Sequence, residues 1–116
     1  MVEEAKFRKN SEATPVEMMP GITRRTLAFG EKMLIAEVAL KAGSKIPPHS
    51  HPHEQVGYVA KGRMRITFGP GEEGEKTADA STGDGYSVPG GLAHAVEALE
   101  DTVAIDIFSP VREEYK

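Results

Sequence analysis

The sequence predicts an all-β fold, a sandwich or barrel built from short strands. Twelve glycines and eight prolines are spread along the 116 residues, and they separate short segments rich in Val, Ile, Leu, Met and Phe. Repeated short apolar segments with turn residues between them are typical of this fold class. A chain of this length predicts one domain, large enough to bury a core without disulfides.

The turn residues divide the chain into an order of elements. Residues 1–20 are predicted to form an arm or an edge strand, and residues 21–116 a single barrel domain. Gly30 links the first pair of strands, Gly62 lies in a tight connection, and residues 69–76, GPGEEGEK, are typical of a glycine-rich hairpin loop. The predicted strands are residues 22–29, 32–40, 54–60, 63–68, 75–80, 86–88, 93–99 and 102–108.

Charge and composition narrow the classes of function. A net charge of −4 argues against nucleic-acid binding, which needs concentrated Lys and Arg, but permits a small anionic ligand. Because cysteine is absent, a transition metal would need imidazole, carboxylate or amide ligands. The N-terminus lacks the apolar region of a signal peptide, and no apolar run is long enough to span a bilayer. We therefore expect a cytoplasmic protein that binds neither nucleic acid nor membranes.

Three of the four histidines fall within five residues, in the stretch HSHPHEQVG at residues 49–57. Pro47 and Pro48 favour an extended backbone before them, and alternate side chains of an extended segment point the same way. His49 and His51 would then present two imidazoles to one ion. By itself, the stretch is also compatible with an exposed histidine-rich turn.

Two segments resemble the two conserved motifs of the cupins in spacing and order. Residues 43–62, GSKIPPHSHPHEQVGYVAKG, match Gly, five residues, H-x-H, a short gap, a ligand residue, six residues and Gly. Residues 83–94, GDGYSVPGGLAH, match Gly, five residues, Pro, one residue, Gly, two residues and His. The resemblance implies a cupin β-barrel, also called a double-stranded β-helix or jelly roll. It also gives meaning to His94, which alone would suggest an ordinary core or surface histidine.

The resemblance to cupins further implies a site for one divalent transition metal. Ligands of this kind suit Ni, Zn, Fe or Mn, and the sequence does not decide among them. Because all four implied ligands are neutral, the ion would keep a charge near 2+ and would favour an anionic substrate. The implied ligands are His49, His51, Gln55 and His94.

The sequence departs from the cupin motifs at two positions. Gln55 occupies the position of the usual acidic ligand, and Glu54, one residue earlier, is the alternative ligand. On a regular strand Glu54 points to the face opposite His51, which favours Gln55. Ala98 stands where the second motif usually has Asn. His53 lies in the variable gap of the first motif, and we expect it to support the site or face the substrate.

The stretch TVAIDIFSPVR, residues 102–112, predicts a strand with two different faces. One face carries branched apolar residues, whereas Asp106 and Phe108 share the other. If that second face lines the barrel, both residues look into the cavity of the metal, and Arg112 can fold back over its mouth. The alternative is an outward Asp106, an incidental Phe108 and a solvated Arg112.

Parts of the chain also resemble the KdgF family of pectin degradation proteins. This resemblance implies the conversion of 4,5-unsaturated uronates into linear 4-deoxy-5-keto uronates, an isomerase-type reaction. It implies that Asp106, Phe108 and Arg112 act on a small anionic sugar. The similar segments are HSHPHEQVGYV, VPGGLAHAVEALED and DIFSPVREEY, at residues 49–59, 88–101 and 106–115.

Two other functions are also compatible with the sequence. One is a different cupin metalloenzyme, such as a dioxygenase, and the other is a non-catalytic cupin that binds a small ligand. By analogy with small cupins, we also expect a homodimer that covers the exposed sheet edges. Arg24 and Arg25 are expected to face solvent or this interface.

Overall fold

Ten β-strands form two sheets in the computed structural model, which describes residues 4–116. Two single-turn 3₁₀ helices, Asn10–Glu12 and Glu113–Tyr115, lie near the two ends of the chain. This architecture confirms the predicted all-β class. The strands are β1 Val16–Met19, β2 Ile22–Phe29, β3 Leu34–Leu40, β4 Lys45–His49, β5 Glu54–Lys61, β6 Arg63–Phe68, β7 Lys76–Ser81, β8 Gly85–Val88, β9 His94–Ala98 and β10 Thr102–Ser109.

The two sheets are antiparallel and exchange strands along the chain. One sheet has six strands in the order β1-β2-β3-β10-β5-β8, and the other has four in the order β4-β9-β6-β7. β5 and β6 follow each other in sequence but belong to different sheets, and Gly62 turns the corner between them with a φ of 97°. A positive φ strongly favours glycine. The tight connection predicted at Gly62 therefore joins the two sheets.

The predicted strands agree with the observed ones to within two residues at each end. Sequence interpretation did not identify β4, which precedes the histidine-rich stretch. Its two prolines lack the N–H groups of a regular ladder, and its register with β9 shifts across them. A strand that departs from the regular ladder in this way carries a weak sequence pattern.

Part of the predicted N-terminal arm is an edge strand. β1 pairs with β2 at one end of the six-stranded sheet, and Met18 and Met19 pack against core clusters. Residues 1–3 of the arm lie outside the described residues. The domain boundary between residues 20 and 21 stays a prediction.

Polar side chains are concentrated at one place in an otherwise apolar interior. The space between the sheets is filled by residues such as Ile22, Leu34, Val59 and Ile66, each at most 2% exposed. Burying a polar group costs free energy unless it is well partnered, so such a concentration indicates function. The buried polar residues are Thr26, His51, Gln55, His94, Thr102 and Asp106. Four of these six are residues that the sequence assigned to the site.

Among residues 4–116, neither of the short helices is long and apolar enough to cross a membrane.

Candidate metal centre

Three histidines from two segments converge between the sheets. His49 ends β4 and lies directly opposite His94, the first residue of β9, in the antiparallel register. His51 follows in the bend between β4 and β5. One ring nitrogen from each of the three lies within 4.8 Å of the others, and the ring centroids of His49 and His94 are 4.2 Å apart.

The backbone fixes the tautomer of all three rings. Each Nδ1 lies within hydrogen-bonding distance of a carbonyl oxygen two residues away, and because a carbonyl only accepts, Nδ1 must carry the proton. Each Nε2 then has a free lone pair, which is the form that binds a metal. The acceptors are Pro47 O for His49 at 3.1 Å, His53 O for His51 at 3.0 Å and Leu92 O for His94 at 2.9 Å.

Gln55 faces the histidines with its amide oxygen. Its Nε2 donates to Oδ1 of Asp106 at 2.9 Å, so its Oε1 points the other way and lies 3.1 Å from Nε2 of His51. Because the proton of His51 is on Nδ1, two acceptors face each other without a hydrogen between them. A cation held by both would make this contact favourable. Glu54, the alternative ligand, is exposed on the other face of β5.

The donor set fits a divalent first-row ion. Two ligands bound at about 2.1 Å and at right angles lie about 3 Å apart, close to the 3.1 Å between His51 and Gln55. The three histidine nitrogens need only small side-chain movements to reach one ion from within 4.8 Å of each other. Three imidazoles and an amide oxygen are suitable ligands for such metals.

Electrostatics keep the buried imidazoles neutral. Burial lowers the pKa of His51, and the positive charge of Arg112 lowers it further. Burial also lowers the pKa of His94, with smaller contributions from the neighbouring His49 and His51. A neutral imidazole is required for metal binding, so these rings are ready for an ion at neutral pH.

Asp106 is a buried carboxyl group that contacts Gln55. It lies on β10, and its Oδ1 accepts hydrogen bonds from Nε2 of Gln55 at 2.9 Å and from the hydroxyl of Tyr86 at 2.5 Å. Burial raises the pKa of Asp106, while the hydrogen bonds from Tyr86 and Gln55 oppose that rise. A carboxyl group with a raised pKa, placed beside a metal site, is suited to proton transfer.

Phe108 and Arg112 line the same cavity as His49, His94, Gln55 and Asp106. Phe108 is 2% exposed, and its ring and that of His51 pack edge to face with centroids 5.6 Å apart. The guanidinium of Arg112 lies 5.1 Å from the Phe108 ring centroid. The structure thus places six of the seven sequence-predicted site residues along one cavity, and the seventh, His51, packs against two of them, Phe108 and Gln55.

Comparison with known proteins identifies the family of this chain. The cupin domain model matches residues 36–108, more than half of the chain. The chain is also 34% identical over 101 residues to the pectin degradation protein KdgF of Dickeya dadantii (strain 3937), covering 85% of this chain and 87% of that protein. The chain is a cupin of the KdgF family.

Solved structures show the same relationship for this cupin. The structure of KdgF from a Halomonas species has a TM-score of 0.87 and 30% identity, covering 97% of this chain and 99% of that one. A Bacillus subtilis oxalate decarboxylase with Mn(II) centres has a TM-score of 0.77 and 25% identity. The structural match covers 87% of this chain but only 28% of that enzyme. The predicted jelly-roll fold is confirmed.

Sequence reasoning assigned no role in the site to Tyr86 and Tyr115, which line the cavity of this cupin, or to Arg24, which packs on Tyr115. Tyr86 contacts Asp106, and the ring of Tyr115 lies between two guanidinium groups, 4.0 Å from that of Arg24 and 4.1 Å from that of Arg112. Arg24, expected to face solvent or a dimer interface, is half-buried and stacks on Tyr115, and its place at an interface stays a prediction. The register of β8 against β5 brings Tyr86 to Asp106, and the fold of the C-terminus brings Tyr115 to Arg24. Tyr115 ends the family-like segment DIFSPVREEY, which was the one available signal for it.

His53 lies beside the group of three histidines. Its ring centroid is 5.6 Å from that of His51, and its buried Nδ1 has no hydrogen-bond partner among the described residues. This position agrees with a supporting or substrate-facing residue better than with a ligand.

Proposed function

We propose that this cupin converts 4,5-unsaturated uronates into linear 4-deoxy-5-keto uronates with the help of one divalent metal ion. The observation that carries the proposal is a group of three histidine nitrogens within 4.8 Å of one another, beside a cavity lined by an amide, a buried carboxyl and an arginine. The similarity to the pectin degradation protein KdgF over 85% of the chain supports the choice of substrate class.

His49, His51, Gln55 and His94 would hold the ion. Neutral ligands leave the site with a charge near 2+, which favours a substrate that carries a carboxylate. When bound, the ion supplies Lewis-acid stabilisation for negative charge that develops on a substrate oxygen. The proposal covers Ni, Zn, Fe and Mn, and the Mn(II) centres of the related oxalate decarboxylase show that a protein with this fold can hold such an ion.

Arg112 is the proposed anchor for the substrate carboxylate. Its Nε donates to Glu114 at 2.5 Å, and Phe108 and Tyr115 pack against its planar group. The remaining guanidinium nitrogens can bind a carboxylate with paired hydrogen bonds. The stacking holds the arginine in place before the substrate arrives.

Asp106 is the proposed proton carrier. Ring opening removes the proton of the anomeric hydroxyl and breaks the bond between C1 and the ring oxygen, which leaves an aldehyde at C1 and an enolate at C5. Tautomerisation then adds a proton at C4 and leaves a ketone at C5, so no atom is gained or lost. A buried carboxyl with a raised pKa can accept the first proton and deliver the second.

Phe108 and Tyr115 form the apolar wall of the cavity. Their rings pack edge to face with centroids 5.4 Å apart, and both residues are buried. A wall of this kind packs against the apolar face of a sugar and limits the entry of water.

The test measures the consumption of the unsaturated monosaccharide of galacturonate over time. NMR spectra report it through the loss of the vinyl proton signal. We expect the metal-loaded protein to exceed the spontaneous rate, and chelator-treated protein to fall back to it. Equal rates with and without the loaded protein would contradict the proposal. Oxygen consumption by the protein would instead favour a dioxygenase, and tight binding without turnover a binding module.

We also propose that the protein is a cytoplasmic homodimer of single barrel domains. The support is that β1 and β8 end the six-stranded sheet and leave edges that a second copy can cover. Sedimentation velocity at micromolar concentration tests the dimer, and a single monomeric species would contradict it.

A further inference from the structure

We propose that Tyr86 is a positioning residue that fixes the carboxyl of Asp106 and, through it, the amide of Gln55. This inference rests on the proposed function, in which Gln55 binds the metal and Asp106 carries the proton. Tyr86 lies outside the cupin ligand set. Its part in the site follows from the strand register and from one glycine.

Tyr86, Gly57 and Asp106 form a row across three adjacent strands. Asp106 on β10 is paired with Gly57 on β5, and Gly57 is paired with Tyr86 on β8. The tyrosine ring crosses the middle strand over the glycine to reach the carboxyl. A Cβ atom at position 57 would lie 2.1 Å from Cζ and 2.3 Å from the hydroxyl oxygen of Tyr86. Position 57 therefore needs a glycine, because the Tyr86 ring occupies the space that a side chain would fill.

The Tyr86 hydroxyl and the Gln55 amide converge on one oxygen. Oδ1 of Asp106 accepts from Tyr86 at 2.5 Å and from Gln55 at 2.9 Å. Burial and the negative charge of Asp106 raise the pKa of Tyr86, so its phenol stays a donor. Two donors on one oxygen hold the plane of the carboxyl group.

The orientation of Asp106 decides which end of the Gln55 amide faces the histidines. While Asp106 accepts from the amide nitrogen, the amide oxygen lies towards Nε2 of His51. If the carboxyl turned away, the amide could rotate and present its N–H₂ group to that nitrogen. An amide nitrogen does not bind a divalent ion in this neutral form, so the fourth ligand would be lost.

The variant Tyr86→Phe separates this role from packing. It retains the ring, which packs beside the core cluster of Val59, Met64 and Ile66, and removes only the hydroxyl. We expect the dissociation constant for Zn²⁺, measured by calorimetric titration, to rise about tenfold or more. We also expect kcat to fall at least tenfold with KM changed less than threefold, and the thermal midpoint of the metal-free protein to stay close to wild type.

Two further variants complete the experiment. Tyr58→Phe is the matched control, because Tyr58 is 49% exposed on β5, and removal of its hydroxyl should change neither metal affinity nor turnover. Gly57→Ala should displace the Tyr86 ring and weaken Zn²⁺ binding at least as much as Tyr86→Phe. A Tyr86→Phe protein with both the Zn²⁺ dissociation constant and kcat within twofold of wild type would overturn the inference.

The metal-binding arm keeps this inference distinct from the proposed function. Weakened Zn²⁺ binding in Tyr86→Phe would support the positioning role even if wild type showed no activity on unsaturated uronates. An active wild type with an indistinguishable Tyr86→Phe variant would overturn the positioning role and leave the proposed function in place.

Discussion

At the scale of single residues, the most informative contact is the one between His51 and Gln55. Nε2 of His51 and Oε1 of Gln55 are both acceptors, and they lie 3.1 Å apart. A backbone carbonyl holds the proton of His51 on Nδ1, and the carboxyl of Asp106 holds the amide nitrogen of Gln55 on its far side. A protein pays a cost to bury two such acceptors together unless a cation joins them. The neutral amide also distinguishes this site from one with a carboxylate ligand.

Replacing Gln55 with glutamate tests the importance of the neutral ligand. The new carboxylate would reduce the net charge of the ion and its ligands to about 1+. It would also lie beside a second carboxyl group, because Oδ1 of Asp106 is 2.9 Å from Nε2 of Gln55 in the wild-type protein. We expect the KM for an unsaturated uronate to rise about tenfold or more through weaker attraction of its carboxylate. Glu54→Gln, on the exposed face of the same strand, is the charge-changing control and should leave KM unaffected. An unchanged KM in Gln55→Glu would contradict the electrostatic argument.

Asp106→Asn tests proton transfer with little change in shape. The asparagine oxygen can still accept from Gln55, so we expect metal affinity to stay within a fewfold of wild type. Turnover should fall about 100-fold or more, the typical contribution of a general acid–base group. NMR assays and metal titrations on the same preparation measure both quantities. Full turnover with the metal still bound would remove Asp106 from the proposed mechanism.

At the scale of strands, the alternation of β10 made the site largely predictable. Its period of two places Asp106 and Phe108 on the inward face, where the structure finds both buried. The proline-containing β4 was missed because it lacks a regular ladder, and the contribution of Tyr86 depends on the register of β8 against β5. A single sequence contains the periodicity of each strand but not its register with a distant partner.

The corner between β5 and β6 offers a test at this scale. An alanine Cβ at Gly62 would lie 2.3 Å from the carbonyl oxygen of Asp101, on a backbone with a φ of 97°. We expect Gly62→Ala to lower the free energy of unfolding by about 3 kcal/mol or more, from backbone strain plus the steric clash. Gly71 also has a positive φ but has open space around it, so Gly71→Ala should cost only about 1–2 kcal/mol. Urea unfolding measures both, and equal losses would contradict the role of the corner.

At the scale of the whole molecule, the interior is arranged around a polar centre within an apolar core. Three of the four implied ligands are buried, and the fourth, His49, is half-buried at the end of β4. The family and the jelly-roll fold were predictable because two spaced motifs lie in the right order along the chain. The contact between Arg24 and Tyr115 was not predictable, because it joins two residues that lie far apart in the sequence.

The buried histidines should make the stability of the metal-free protein depend on pH. Because burial lowers the pKa values of His51 and His94, the unfolded chain binds more protons than the folded one below about pH 6.5. The free energy of unfolding should therefore be highest above that pH and fall as pH decreases towards the lowered folded values. In chelator-treated His94→Asn protein the slope should be smaller than in wild type. Parallel pH profiles of the two proteins would contradict this assignment.

Diffraction at the absorption edge of a loaded metal is the most direct measurement of the central claim, that one ion joins four side chains from two segments. We expect a single anomalous peak between His49, His51 and His94, with the amide oxygen of Gln55 facing it. Crystals soaked with Ni²⁺, Zn²⁺, Fe²⁺ or Mn²⁺ that show no peak there, or a Gln55 that presents its amide nitrogen to the peak, would contradict the claim.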